Sequence, residues 1–448
     1  MATASIDPPQ SRGHLLRVLG LGFGIAMGVG SVIGAGILRT PGTVLGHVPL
    51  PWLALGLWAF AGLHALLTAN IVAELMAALP KSGGLFNVAR RAFGEFGALL
   101  VGWTDWLSNV AAAAALAIVC AEFLAIIFPL LGAHLLPTGV AVALLLFALN
   151  WVGVREASFA QIVTSLAKAA LLIALILLIF LFRPTPAARL DGGVASAPIG
   201  FFAIVVAYQL IVGTYTGWTG PAYFAEEERN PARNIPRAMF GALAAVIAIY
   251  LLMNAALLYA LPADRLSASE LPVALAISDI FGAASVAVVA AVAVVSVVGT
   301  INASIMMGTR ILHGLGRDGL LPAATSRVNK GGTPDVAMAL SAAAVVGLAL
   351  TGQFETVFLI VGALSLAILA LIDLAFFKLR WSEPELPRPW RARLYPWLPA
   401  LALILDVGVL VAFLASDLDS ALFMLGGIAL CIPLTLIARL NRTPAEAR

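Results

Sequence analysis

Residues 19–42 read LGLGFGIAMGVGSVIGAGILRTPG, an apolar run long enough to cross a bilayer that carries seven glycines between Gly20 and Gly36. Each glycine inside a helix costs about 0.8–1 kcal/mol relative to alanine. Helix packing accounts for part of the cluster, because a GxxxG pair such as Gly30 and Gly34 lets backbones approach closely in a membrane. Gly30, Ser31, Gly34 and Gly36 are denser than packing requires and lie mid-span. An unwound segment is therefore expected over residues 31–36.

The anomaly recurs at residues 207–239, AYQLIVGTYTGWTGPAYFAEEERNPARNIPRAM. Gly213, Gly217, Gly220 and Pro221 alternate there with Thr214, Thr216 and Thr219, around Tyr215 and Trp218. Proline cannot donate a backbone hydrogen bond inside a helix, but it suits the first turn of a new one. A break is expected at 213–219, with a half-helix starting near Gly220. A simple proline kink is the plainer alternative.

The rest of the chain sets these two runs in order. Of 448 residues, 61% are hydrophobic and only 11% charged, with a mean hydropathy of +1.02; a soluble domain is nearer 45–50% apolar and about 25% charged. The chain reads as an integral membrane protein, embedded in a lipid bilayer. At about 20 apolar residues per crossing, twelve spans are expected: 16–44, 50–79, 95–128, 136–153, 157–182, 199–226, 236–261, 274–311, 335–351, 354–379, 394–416 and 419–439. The runs are continuous and do not alternate, which makes them helices and not barrel strands. Of the 26 Lys and Arg, Arg39, Arg183, Arg189 and Arg265 alone fall in the loops on one side, and Lys168 lies within a span. The positive-inside rule then puts both termini in the cytoplasm. The polar N-terminus with Pro8 and Pro9 is unlike a cleavable signal peptide, so insertion is expected to rely on the first span.

Several functions are excluded at this level. The net charge of +3 is spread between apolar runs, so no nucleic-acid partner is expected. Cys120 and Cys431 lie in apolar stretches and the five histidines are scattered, so neither disulfides, nor a metal site, nor a cofactor is expected. A polytopic enzyme would need clustered His, Asp or Glu at one membrane face, and none is visible. A channel would call for a repeated filter.

The interrupted spans are the first and the sixth, equivalent places in two halves of five. Such a pair points to a transporter built from inverted repeats, its site at the unwound backbone near the midplane. Freed amides carry positive partial charge and freed carbonyls negative. A zwitterion with a carboxylate and an ammonium fits between them.

Four stretches resemble the amino acid–polyamine–organocation (APC) superfamily of permeases: GVGSVIGAGILRTPG at 28–42, AELMAALPKSGG at 73–84, TYTGWTGPAYFAEEERNPARNIPRAM at 214–239, and the pair RDGLLP at 317–322 with ELPRPWRARLYPWLP at 385–399. The resemblance implies an all-α LeuT-type fold in a single transmembrane unit across 1–448. Repeat one would cover about 14–182, repeat two about 199–379, and two extra helices about 394–439. It also implies a secondary transporter that takes an amino acid by alternating access. The substrate carboxylate would lie on the amides of Ala35 and Gly36, close to Gly34, and its ammonium on the carbonyls of Val32, Gly213 and Thr216, with Thr214 beside them. The substrate side chain would project among Tyr215, Trp218, the third span near Ala113 and Ala114, Ser304 and Phe358. Some relatives carry an acidic residue at the position of Thr216 or Thr219, or an aromatic gate at that of Ser304, and this sequence has neither; Trp218 or Tyr215 would have to serve as the gate.

Lys168 stands twelve residues into the fifth span, too deep for easy snorkelling to water, and an ionisable group at that depth reads as functional. In the resemblance it occupies the place of a sodium ion, bridging the first span near Ser31 and Gly34 to the eighth near Asn302. Burial disfavours its charged form, so it is expected to carry a proton, favouring proton coupling over sodium coupling. An exchanger and a sodium symporter remain the alternatives. Asp105 and Asn109, four apart on one helix face, line the substrate path or make a polar contact with another helix. Glu74 and Glu226–Glu228 with Arg229, Arg233 and Arg237 read as ion pairs at an inner gate or as solvated loop charges. Asp373 and Asp406 lie deep in their spans with no role assigned. Trp52, Trp58 and Trp397 suit an interfacial belt. With no charged side chain in the broken segments, a neutral amino acid is the expected substrate. The abundance of Ala, Gly and Arg hints at a bacterial inner membrane.

Overall fold

The computed structural model describes residues 19–182, 199–329, 331–351, 354–416 and 418–433, with side chains at 354–360, 416, 418–420 and 423 outside the description. Helices dominate because lipid offers no hydrogen bonds, so each crossing must satisfy its own backbone. In order they are α1 (Leu21–Val32), α2 (Gly36–His47), α3 (Pro51–Ala78), α4 (Phe86–Ile127), α5 (Leu135–Val152), α6 (Val154–Phe182), α7 (Phe201–Tyr215), α8 (Pro231–Ala260), the short α9 (Ala263–Ser267) and α10 (Pro272–Phe281), α11 (Ser285–Arg317), α12 (Asp335–Leu350), α13 (Phe354–Ser382), α14 (Trp397–Ser416) and α15 (Leu418–Ala429).

Among the described residues, nine helices meet the length and apolarity of a crossing, and α1 with α2 makes a tenth, bent by 42°. The protein is a multi-pass membrane protein. The expected span 335–351 is the 16-residue α12, shorter than a typical crossing, and the end of the span 419–439 lies outside the described residues. The expected span 274–311 is corrected: α10 ends at Phe281 and α11 starts at Ser285, because Gly282 at φ +83° turns the chain. Residues 86–93 precede the third crossing as a separate turn of helix, set off by Gly94 at φ +76°.

Helix α6 shows how sequence places the interior. Gln161, Ser165, Lys168, Leu172, Leu175 and Ile179 are buried on one face, while Phe159, Val163, Leu166, Ile173 and Leu177 are exposed on the other. That exposed face is apolar because its neighbour is lipid. The same packing corrects one aromatic: Trp52 and Trp397 are exposed, but Trp58 is fully buried against Tyr215 and Tyr250 and belongs to the core.

Both breaks are present and narrower than expected. In the first, α1 runs through Ser31 to Val32, Ile33 is extended, and α2 begins at Gly36. In the second, Gly213, Thr214 and Tyr215 complete α7, Thr216 is extended, and Gly217 takes φ +105°. Gly220–Phe224 then forms a short 3-10 turn in place of the expected α-helical half. The ends of the two interrupted spans pack on each other, with α2 against α7 and α1 against the Gly220–Phe224 turn.

Candidate functional site

Ending α1 at Val32 strands carbonyl groups inside the membrane, and Lys168 collects them. Its Nζ donates to Gly30 O and Ile33 O at 2.7 Å each, to Ser296 O at 3.0 Å and to Thr300 Oγ1 at 3.1 Å. An ammonium has three donors and no acceptor, which suits a cradle of three carbonyls and a hydroxyl. Gly299 makes room, since a Cβ there would come 3.0 Å from Lys168 Cε. The expected partners near Ser31 and Gly34 are thus Gly30 and Ile33, one residue away. On the eighth span the partners are Ser296 and Thr300, not Asn302. Asn302 instead accepts from Asn150 and donates to Gln161, both at 2.7 Å, on another face of α11.

The two breaks meet at one point. Ser31 Oγ lies 2.6 Å from Gly217 O, with Met27 O at 2.7 Å as an alternative acceptor. Tyr250 on α8 reaches both breaks, its hydroxyl 3.2 Å from Val32 O and 3.1 Å from Thr214 O.

Beside this junction lies a cavity with an empty volume of about 820 Å³, part of it open. It brings together Ser31, Val32, Gly34, Ala35 and Gly36 from the first break, Thr214 and Thr216 from the second, Asp105 and Asn109 from α4, and Ser304 from α11. The first amides of α2 have no partner within their own helix, and they head this wall. Gly213, Tyr215, Trp218, Lys168 and Asn302 do not line the cavity. Tyr215 and Trp218 line a second one of about 620 Å³ on the other side of the break, and the side chain of Phe358 lies outside the description. On the third span the lining face is Asp105, Ser108, Asn109, Ala112 and Leu116, so Ala112 takes the place expected for Ala113 and Ala114, which point into packing.

Sequence reasoning missed Tyr223, Tyr250, Ser296 and Thr300. Tyr223 OH lies 3.0 and 2.8 Å from the two Asp105 carboxylate oxygens, and Asn109 Nδ2 donates to Oδ1 at 3.2 Å. Ser296 and Thr300, four apart in the apolar first half of α11, carried a spacing signal that could have been read. The tyrosines had none, because their role depends on helices distant in sequence.

At the end of the bundle richest in Arg and Lys, the acidic run finds partners on other helices. Glu227 pairs with Arg310, both essentially inaccessible, at 3.1 Å. Glu226 pairs with Arg317, Arg90 with Asp318, and Glu74 with Arg380 and Arg388. Glu228 bonds Asn234. Of the two expectations for Glu226–Glu228, ion pairs or solvated loop charges, Glu226 and Glu227 form ion pairs, but with Arg317 and Arg310 of α11 and not with Arg229, Arg233 or Arg237, and Arg310 also stacks on Phe224 at 5.1 Å.

Comparison with known proteins gives a consistent picture. A family model described as amino acid permease matches residues 23–434. The chain is 27% identical to the Serine/threonine exchanger SteT of Bacillus subtilis, over 93% of this chain and 95% of that one. It is 27% identical to the mouse b(0,+)-type amino acid transporter 1, over 92% and 87%. It is 26% identical to the Branched-chain amino acid permease BcaP of Bacillus subtilis, over 87% and 86%.

Proposed function

Because the chain belongs to the amino acid permease family of the APC superfamily, and so is an amino acid transporter and not an enzyme, we propose that it takes up neutral amino acids in symport with protons. Alternating access would be built on repeats at about 14–182 and 199–379. The membrane would be a bacterial inner membrane, with both termini on the cytoplasmic side, in line with the Arg- and Lys-rich end of the bundle.

One observation carries the coupling. Among the described residues, Lys168 is the one cation that ties the first break to α11, through Gly30, Ile33, Ser296 and Thr300. Charged, it clamps the two helices together; neutral, it has only two donors for the same acceptors, and the clamp loosens. Proton release is thereby linked to the relative position of the spans. The carboxylate of the substrate would lie on the amides of Ala35 and Gly36, close to Gly34, and its ammonium on carbonyls at the breaks. Neutral substrates are supported by the lining. Among the described residues, Asp105 is the one carboxylate in the cavity, and Tyr223 and Asn109 hold it.

Uptake into proteoliposomes, with a panel of amino acids and with or without a pH gradient or sodium, tests this reading. Lys168→Ala should abolish gradient-driven accumulation while keeping part of the substrate binding, and wild-type uptake should not need sodium. Sodium-dependent uptake, or a Lys168→Ala variant that still concentrates substrate on a pH gradient, overturns it. Amino acid exchange is the second reading, favoured by the similarity to a serine/threonine exchanger. It requires uptake only into liposomes preloaded with amino acid.

A further inference from the structure

At the Arg- and Lys-rich end of the bundle the arginines fall into two groups. Arg90, Arg91, Arg310, Arg317, Arg380 and Arg388 are each paired with a carboxylate. Arg233 and Arg237 on α8, and Arg391 and Arg393 in the connection from α13 to α14, are exposed and have no carboxylate partner among the described residues. Glu228, the acid nearest the start of α8, is already engaged by Asn230 N at 3.3 Å and Asn234 Nδ2 at 2.8 Å.

Packing brings the four unpaired arginines to one side of the molecule. Phe240, one turn along α8 from Arg237, packs on Trp390 with ring centroids 5.6 Å apart, and Arg391 follows Trp390 in the chain. The connection is then fastened to α3. Ala392 N donates to Glu74 Oε2 at 2.6 Å, and Asn70 exchanges two hydrogen bonds with the Arg393 backbone, at 3.0 and 3.2 Å. Asn70 stands eight residues before the end of α3, which is about 12 Å along the helix axis. The backbone at Arg393 therefore lies well inside the end of that helix. Leu394, Tyr395 and Trp397 beside it are exposed, and aromatic rings of this kind sit at the headgroup level of a bilayer.

Apolar surface leads away from the arginines on both helices. Leu63, two turns before Asn70 on the same face of α3, is exposed, as are Gly56 and Ala59. On α8, Ala244, Ala248 and Leu252 are exposed on the face that carries Arg237, and α3 packs against α8. A partner for this surface has an anion at one end and hydrocarbon along its length. Phosphate suits the anion, because the forked donors of a guanidinium match its oxygens.

We propose that Arg233, Arg237, Arg391 and Arg393 bind the headgroup of an anionic phospholipid, whose acyl chains lie along the exposed faces of α3 and α8. Charge sets the preference. A zwitterionic lipid brings a quaternary ammonium with its phosphate, and four unneutralised guanidinium groups disfavour that second charge. The assignment needs only that the chain crosses a bilayer, so it stands or falls independently of Lys168 and of the coupling ion.

Native mass spectrometry of the purified full chain in detergent reads the bound lipid, with dioleoyl phosphatidylglycerol, dioleoyl phosphatidylcholine and inorganic phosphate as probes. Phosphatidylglycerol should be retained in preference to phosphatidylcholine, and inorganic phosphate at the same concentration should not displace it. One arginine near a membrane surface is worth about five-fold in binding. Arg237→Gln combined with Arg393→Gln should therefore weaken phosphatidylglycerol binding by about 25-fold. Arg237→Lys combined with Arg393→Lys keeps the charge and should keep the preference. Arg91→Gln removes an arginine that Glu383 already neutralises, and it should bind phosphatidylglycerol as the wild type does. Equal retention of the two lipids, displacement by inorganic phosphate, wild-type binding in the double Gln variant, or an equal loss in Arg91→Gln overturns the proposal.

Discussion

Gly217→Ala concentrates the architecture of the two breaks into one methyl group. At φ +105° the position disfavours any L side chain, at a cost of about 1–3 kcal/mol. The added Cβ would also lie 2.8 Å from Ser31 O and 2.9 Å from Ser31 C. Those are backbone atoms that cannot rotate aside, so the collision adds about 1–3 kcal/mol of overpacking. The sum, about 2–6 kcal/mol, corresponds to roughly a 30-fold or greater shift at its lower bound. Relief requires the breaks to part, which sacrifices the 2.6 Å bond from Ser31 Oγ to Gly217 O and widens the substrate cavity. Gly213→Ala is the control. It sits on the last turn of α7 with nothing within 4 Å of its Cβ, and alanine favours the helix by about 0.8–1 kcal/mol. Unfolding in mixed detergent micelles and substrate binding to purified protein would be measured side by side. Gly217→Ala should lose both stability and affinity, and Gly213→Ala should be neutral or slightly stabilised. A Gly217→Ala protein equal to wild type in both would refute the contact between the breaks.

Glu227→Gln leaves Arg310 buried without its counter-charge and should destabilise the protein by about 3–5 kcal/mol; adding Arg310→Met should restore most of that loss in the same unfolding assay. Gly30→Ala places its Cβ against Gln161 Nε2 and Ser165 Oγ, and because Gln161 is held by Asn302 it should cost about 1–3 kcal/mol. Gln161→Ala in the Gly30→Ala background should recover thermal stability, and no recovery would mean that the strain lies elsewhere.

Much of the fold was legible because lipid imposes one rule on every crossing, and glycine density exposes the exceptions. The breaks at Ile33 and Thr216–Gly217 follow from that reasoning, although Ser31 and Gly213 turn out helical because a helix tolerates a glycine or serine in its last turn. The buried face of α6 could be read from the spacing of Gln161, Ser165 and Lys168. Partners were harder. Lys168 bonds main-chain atoms, and main-chain atoms have no residue signature, so the choice between Asn302 and the Ser296–Thr300 pair depended on how α11 rotates about its own axis. The azimuth of α4 about its own axis likewise puts Ala112, not Ala113, in the lining. Arg310 falls at the very end of the expected span 274–311, and nothing in the spacing tells that its helix carries it under the acidic run to Glu227.

Tyr250 stands between Val32 O and Thr214 O with a single hydroxyl proton. Its proton points to one carbonyl at a time, so whichever it leaves has lost its share of that donor. Each interrupted span therefore competes with the other for the same donor. An incoming group with N–H bonds of its own, such as an ammonium, would end that rivalry by serving the loser. The phenol thus makes the two interrupted spans share one donor, whichever way its hydroxyl turns.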